Sequence, residues 1–381
     1  MTDKKAKPAN VTRTRTYITP TRRQMLAGMA ATAGVGAMGA TANRAFAAGS
    51  LNYVGWEGYD TFLEAGDIAE TVGATLEKTF ISTADEVITK LRLGSSQVDL
   101  CTPYFIHDDF LVSQDLLEPI DLAKVPNFEK LHPVIRQYCE ENMSENGSWY
   151  SVPVTYGSIC MMYNADLAEK PTSWTDMLKD EYKGKVAITS DYPGNFYAWA
   201  RVAGVENPNR MTRDELSEVT DMLINLKKNH LRTIASSYGE LINLLANEEI
   251  VMCQGWEPVS TWVGDSVDIR PAYPKEKCMG FIEGYSIGKG SSNIDAAHAY
   301  IDHAISVEGQ LAGAEWNTMP VVNADAMSQV SDLNDALYDY ANIESYFTEE
   351  TDVVPMYPLE SDGELATWDE YQEAWERVLK G

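Results

Sequence analysis

The chain is poor in the residues that most enzymes and metalloproteins rely on. It has five histidines and five cysteines in 381 residues. No histidine pair forms H-E-x-x-H, and His298 and His303 are five apart, which does not place them on one helix face. No two cysteines are spaced C-x-x-C, so zinc and dithiol redox motifs are not indicated. No P-loop pattern occurs. After residue 50, no charge-poor run approaches the ~20 apolar residues that a membrane span needs. Positive charge is scarce: 30 Lys+Arg stand against 57 Asp+Glu, a net charge of −27. A surface that acidic repels phosphate backbones and argues against nucleic acid as a partner.

What is present is a globular composition, 44% hydrophobic, 23% charged and 10% aromatic. At roughly 100–200 residues per domain, the length favours two lobes. The charge is unevenly spread. Residues 1–47 hold eight basic residues (Lys4, Lys5, Lys7, Arg13, Arg15, Arg22, Arg23, Arg44) and one acid, Asp3. Without them, 22 basic side chains face 56 acidic ones and the net charge is −34. A basic stretch ending in Arg22-Arg23, a charge-free Ala/Gly-rich run from Gln24 to Asn43, and Ala45-Phe46-Ala47 have the form of an export signal of the twin-arginine type. Cleavage is expected after Ala47 or Ala48, and the periplasm as destination. The Gly34-Val35-Gly36-Ala37-Met38-Gly39 match to a dinucleotide-binding motif lies inside this segment with no strand before it, and is discounted. Export leaves Cys101, Cys139, Cys160, Cys253 and Cys278 in an oxidising compartment. Their number is odd and several have apolar neighbours, so buried inert thiols are expected, with one disulfide as the alternative.

Strands and helices alternate, the pattern of an α/β fold. Strands are expected at 51–54, 98–101, 150–154, 159–163, 185–188 and 250–253. Helices are expected over 85–93, 214–228 and 295–305, where apolar residues recur at helical spacing. Several loops after predicted strands carry aromatics: Trp56/Tyr59, Tyr104/Phe105, Tyr192/Phe196/Tyr197, Trp256 and Tyr285. Ligands of open α/β sheets sit beyond the carboxyl ends of strands. Aromatic faces beside carboxylates such as Glu57, Asp191, Glu257 and Glu283 suit an organic cation, because the ring quadrupole attracts the charge and the carboxylate accepts the N–H bonds. His107-Asp108-Asp109 offers metal-ligating side chains, but its place at a helix start fits a solvated first turn better.

These residues bring the chain to a resemblance. Thr172-Ser173-Trp174-Thr175-Asp176-Met177-Leu178-Lys179-Asp180-Glu181-Tyr182-Lys183-Gly184-Lys185 is similar to a stretch of the spermidine/putrescine-binding proteins of polyamine ABC importers. Tyr53 to Tyr59, Ser151-Val152-Pro153 through Tyr163-Asn164, and Gly280 to Ile287 add further matches, so the resemblance covers roughly residues 50–380. It implies a periplasmic-binding-protein fold of two α/β lobes, each a mixed sheet flanked by helices, with ligand held between them. Crossing strands near Tyr156 and Glu283 would make the lobes 49–156 plus 283–316, and 157–282 plus 317–381.

The resemblance also implies a site. Trp56 and Tyr59 match the family's first-loop aromatic pair, and Asp191 its amine-binding acid. A second family acid three residues on is replaced by Gly194, and Trp256 matches a family Trp with a shift of one residue. Where the second crossing strand usually offers Trp-x-Asp, this chain is read as Ile282-Glu283-Gly284, leaving Glu283 or Tyr285 to compensate. The expected ligand-binding set is Trp56, Tyr59, Tyr104, Asp191, Trp256, Glu257, Glu283 and Tyr285. A small organic cation, a polyamine or related amine, is the expected solute, delivered by a monomer to a membrane permease with neither cofactor nor catalysis. A zwitterion or another small solute is the first alternative, and an exported enzyme the second. The absence of a Tyr-Tyr pair argues against a ferric-ion binder.

Overall fold

The computed structural model describes residues 49–81, 85–94, 98–104, 107–145, 147–264, 266–354, 357–360 and 363–381. The export-signal reading of residues 1–47 and the loop aromatic Phe105 lie outside them. In chain order the strands are β1 (Gly49–Gly55), β2 (Ala74–Phe80), β3 (Leu100–Cys101), β4 (Leu117–Glu118), β5 (Ser144–Glu145), β6 (Ser148–Trp149), β7 (Val152–Asn164), β8 (Val186–Thr189), β9 (Leu231–Ala235), β10 (Met252–Trp256), β11 (Ile269–Ala272), β12 (Cys278–Gly288) and β13 (Thr351–Val353). Helices of six residues or more are α1 (Asp85–Arg92), α2 (Asp108–Ser113), α3 (Pro133–Asn142), α4 (Tyr192–Val202), α5 (Arg213–Asn229), α6 (Tyr238–Ala246), α7 (Ile294–Ala304), α8 (Val307–Asn317), α9 (Asp332–Tyr338) and α10 (Trp368–Lys380).

The sheet runs β2-β1-β3-β12-β7-β10-β8-β9, with β11 on β7 and β4 and β13 on β12. Two parallel groups flank an antiparallel centre. β1 pairs in parallel with β2 and β3, and β8 with β9 and β10. Between them β12 and β7 run antiparallel, with Tyr156 opposite Ile282 and Thr155 opposite Glu283. Every residue of β7 and β12 is buried, as expected of strands covered on both faces. Among their polar members, Thr155 Oγ1 donates to the Pro320 carbonyl at 2.9 Å, while Tyr156 Oη and Ser286 Oγ are buried without a partner. The result is a mixed α/β arrangement, a parallel group at each end of the sheet joined by the long antiparallel pair β7 and β12.

Sequence explains the principal helices. α5 opens on a capping box in which the Thr212 side chain accepts from the Glu215 N–H, and it buries Leu216, Val219, Leu223 and Leu226. α10 opens on a second, Thr367 with Glu370, and buries Tyr371, Ala374, Trp375 and Val378. Tyr371 and Trp375 pack edge-on against Phe196 of α4, with centroids 5.6 and 6.3 Å apart, which ties α10 to the β8 side of the molecule. On the β1 side, Tyr300 of α7 donates to the Ala74 carbonyl at 2.6 Å.

Several expectations are corrected. Residues 150–154 and 159–163 are not two strands: β7 continues through Gly157 without a break. Phe196 and Tyr197 are not loop residues but core residues of α4. Trp256 ends β10, and Tyr285 lies within β12. His107 and Asp108 are not solvated: each is 3% exposed. All five cysteines are free and buried, and burial raises each thiol above its ordinary range.

Candidate functional site

The first element is the turn after β1. Tyr53 Oη and Thr102 Oγ1 share a hydrogen bond of 3.2 Å, and the Trp56 N–H donates to Thr102 Oγ1 at 3.3 Å. Asn317, at the end of α8, donates to the Gly58 carbonyl at 3.2 Å. Tyr285 supports the turn from behind: its hydroxyl donates to the Tyr59 carbonyl and its ring sits edge-on to Tyr53 at 6.3 Å. Tyr285 is thus a buried prop of the turn rather than a residue facing outward from it.

Glu283 comes from β12, where the register with β7 shifts between Glu283 and Gly284. The extra residue of this bulge is Val154 on β7, directly beside the Thr155 that faces Glu283. The carboxyl is 4% exposed and its Oε2 has no partner. Burial pushes its pKa up to about 8; the hydrogen bond from the Tyr59 hydroxyl opposes the rise and the charge of Asp191 adds to it. Asp191 follows β8 and precedes α4. Asn195 locks this corner by donating from Nδ2 to the carbonyls of Thr189 and Asp191, at 2.9 and 2.8 Å. Burial raises the Asp191 carboxyl to about 6, with the Gly194 N–H at the helix start opposing. Its Oδ2 is also buried without a partner. One acid thus comes from each side of the sheet, and each keeps one oxygen unspent.

Aromatic rings frame the two acids. Tyr104 feels the charges of both Asp191 and Glu283 and neighbours Tyr238 and Tyr357; burial is the main cause of its raised pKa. Trp256 packs against Trp262, Phe281 and Tyr238 with centroids 5.4, 5.9 and 6.3 Å apart. The cluster needs Gly157: a Cβ there would lie 2.5 Å from Phe281 Cζ and 2.6 Å from Trp256 Nε1. The indole nitrogens of Trp56 and Trp256 are buried donors without partners, as is the hydroxyl of Tyr357.

The structure brings Tyr59, Tyr104, Asp191 and Glu283 together and joins Trp256 to them through Tyr238, while Trp56 stands at the start of the turn that carries Tyr59. Glu257 is spent elsewhere. Its Oε1 accepts from Ser158 Oγ at 2.6 Å, Tyr346 Oη at 2.9 Å and Tyr273 Oη at 3.3 Å, and its Oε2 from the Ser158 N–H at 3.2 Å. Burial raises its pKa against these bonds. Glu57, by contrast, is exposed.

Three neighbours escaped the sequence reading, and a fourth, Asp108, is expected there at a solvated helix start. Phe281 and Glu283, two apart on β12, lie on one face of the strand, so the aromatic-x-acid pattern is Phe281-Ile282-Glu283, one residue earlier than first read. Strand alternation could have revealed this. Tyr238 opens the helix after β9, so the strand-then-loop rule would have found it. Tyr357 comes from a distant loop and left no local signal. Asp108 is buried with both oxygens unpartnered; burial holds its carboxyl well above the usual carboxylate range, and the charges of Asp109 and Glu283 add to the rise. A motif needs discounting too. Gly284-Tyr285-Ser286-Ile287-Gly288 spells G-x-S-x-G, but Ser286 lies mid-strand in β12, buried, rather than on a strand-to-helix turn. Among the described residues, no group of three or more His, Cys, Asp or Glu is placed to hold a metal ion.

Residues 69–332 match the family described as bacterial extracellular solute-binding protein. The sequence is 25% identical over 236 residues to the putrescine-binding periplasmic protein PotF of Escherichia coli, covering 57% of this chain and 62% of that one. The aligned part therefore spans less than two thirds of that relative. To the spermidine/putrescine-binding periplasmic protein of Escherichia coli it is 23% identical, over 78% of this chain and 85% of the other. The crystal structure of the spermidine/putrescine ABC transporter substrate-binding protein PotD from Streptococcus pneumoniae superposes with a TM-score of 0.70 at 19% identity, covering 87% of this chain and 98% of that one.

Proposed function

The chain belongs to the bacterial extracellular solute-binding proteins, a family of binders rather than enzymes, and from that premise we propose that it captures a small organic cation, a polyamine or related amine, for an ABC importer. The observation that carries the reading is the pair Asp191 and Glu283. Two buried carboxyls, each with an unpartnered oxygen, repel one another inside a ring of aromatics. An ammonium supplies the missing donors, cancels the repulsion and stacks its alkyl part on the rings. The lobes are 49–156 plus 283–316 and 157–282 plus 317–381, with β7 and β12 as the crossings. The protein acts as a monomer in the periplasm, reached through the twin-arginine-type signal, and presents its closed form to the permease. Trp56 and Trp256, whose indole N–H groups lack partners, favour a second reading, a zwitterion whose acceptor oxygen they would bind.

A thermal-shift screen of residues 48–381 tests the choice, with spermidine, putrescine, cadaverine, agmatine, choline, glycine betaine and amino acids. Ligand at ~100 times its dissociation constant adds about 2.7 kcal/mol, a shift of several degrees. A shift with primary amines is expected. A shift confined to zwitterions selects the second reading, and no shift with any amine overturns the first.

The raised carboxyls add a pH signature. At neutral pH Glu283, at about 8, is largely protonated, while Asp191, at about 6, is largely ionised. A bound cation favours the ionised form of both, so binding releases protons. Amine affinity therefore rises from about pH 5.5 to 8.5, by up to roughly tenfold per pH unit for each proton released, and then levels off. The ligand-free protein moves the other way. Its folded state holds these protons more tightly than the unfolded chain does, so its stability falls as pH climbs from the ordinary carboxylate range through about 6 for Asp191 and about 8 for Glu283, and is level above that. Calorimetry with putrescine in buffers of different ionisation enthalpy checks the proton count; an affinity independent of pH would remove Glu283 from the site.

A further inference from the structure

We infer that Trp368 is a latch that holds the two lobes closed over the solute, a positioning residue that sets residence time without touching the ligand. This rests on the reading of the cleft as a solute site. The backbone of Trp368 belongs to the β8 side, because α10 is anchored there by Tyr371 and Trp375 on Phe196. Its indole keeps a bond to that side, from Nε1 to the Tyr192 hydroxyl, and reaches across to the other. The ring lies over the imidazole of His107 at 4.6 Å and meets the edge of Phe110 at 5.9 Å, both at the start of α2. Phe110 packs in the cluster built on the outer face of β1 with Val54, Val87 and Leu111, whereas α10 packs in the main core; Trp368 is half-buried against both.

The same indole is wired to the site from each side. Its Nε1 donates to the Tyr192 hydroxyl at 2.8 Å, and Tyr192 is the residue after Asp191. On the other side His107 sits edge-on to Tyr104 at 5.9 Å, and Tyr104 faces both acids. Opening the cleft must pull the indole off His107 and Phe110, exposing three rings to water. The contact therefore adds to the barrier for opening and release, not to the encounter with solute. The helix does not need it to stay docked, because Tyr371, Ala374, Trp375 and Val378 hold α10 independently.

The test uses the full chain, with putrescine and spermidine as probes in stopped-flow kinetics, and small-angle scattering of the ligand-free protein. Trp368→Leu is expected to speed dissociation roughly tenfold, to leave association within about twofold, and to enlarge the ligand-free radius of gyration. Tyr192→Phe keeps the ring but removes the acceptor of the indole N–H, and is expected to give a smaller change in the same direction. His107→Ala combined with Trp368→Leu should do little beyond either alone, since both break one contact. Unchanged dissociation and scattering in Trp368→Leu, or a lowered Tm with dissociation unchanged, would overturn the latch and leave a packing residue. Should Trp368→Leu not fold, Tyr192→Phe decides by the same two readouts. If the parent binds neither probe, the amine reading fails, and the scattering comparison alone decides the latch.

Discussion

Asp191→Asn weakens putrescine and spermidine binding by roughly a hundredfold while the protein keeps its fold. The size follows from what the substitution removes. A hydrogen bond to a charged group contributes about 1.5–3 kcal/mol, and every 1.4 kcal/mol is a factor of ten in affinity. Asp191 is the acid that is ionised at neutral pH, so it carries the charge that attracts the amine before any proton leaves Glu283. Asparagine keeps the shape of the corner, whose geometry is set by Asn195 and the Thr189 and Asp191 carbonyls rather than by the carboxyl. Glu283→Gln should cost less at pH 7 than at pH 9, because at pH 7 the group it replaces is mostly neutral already. Titration calorimetry of both variants at the two pH values measures this. Parent-like affinity in Asp191→Asn at pH 7 would mean that the ligand sits elsewhere.

Glu257→Ala lowers stability by roughly 3 kcal/mol or more, and its effect is on folding before it is on binding. Three hydroxyls and a backbone N–H converge on this carboxylate, from Ser158 on β7, from Tyr273, and from Tyr346. Alanine strands the buried donors, at a cost of about 1–3 kcal/mol for each group left unpaired. Glu257→Gln, which keeps the volume and one acceptor oxygen, should lose less. Urea unfolding followed by far-UV circular dichroism reads the difference. A loss below about 1 kcal/mol in the alanine variant would show that these bonds are replaced by water at little cost. This places Glu257 apart from the acids of the site, although in sequence it stands beside Trp256.

That contrast shows how far the sequence alone reached. Helical spacing of Leu216, Val219, Leu223 and Leu226 was enough to place α5 within a residue at each end. The strand expected at 51–54 falls inside β1 and leads into the turn that carries Trp56 and Tyr59, and Asp191 follows β8 as the aromatic loops and the resemblance implied. These signals are local: periodicity, caps and turn residues act between neighbours in the chain. Two errors came from the same locality. Gly157 broke an apolar run that looks like two strands, yet it is there because Trp256 and Phe281 approach its Cα from other strands. Glu257 and Glu283 looked alike as acids beside aromatics, and only their partners separate them. One meets Ser158, Tyr273 and Tyr346, and the other meets Tyr59, Asp191 and an oxygen with no partner.

The sequence by itself determined the α/β class, the acidic body, the elements that start and stop on local signals, and the kinship carried by its longest motif. Tertiary structure alone decided which carboxyls keep an oxygen without a partner. Burial, bulge and partner are properties of residues brought together from positions as far apart as Tyr59, Asp191 and Glu283, and no window along the chain contains them. It also decided that Trp368, near the end of the chain, meets both Tyr192 and His107, residues that lie far from it and from each other in the sequence.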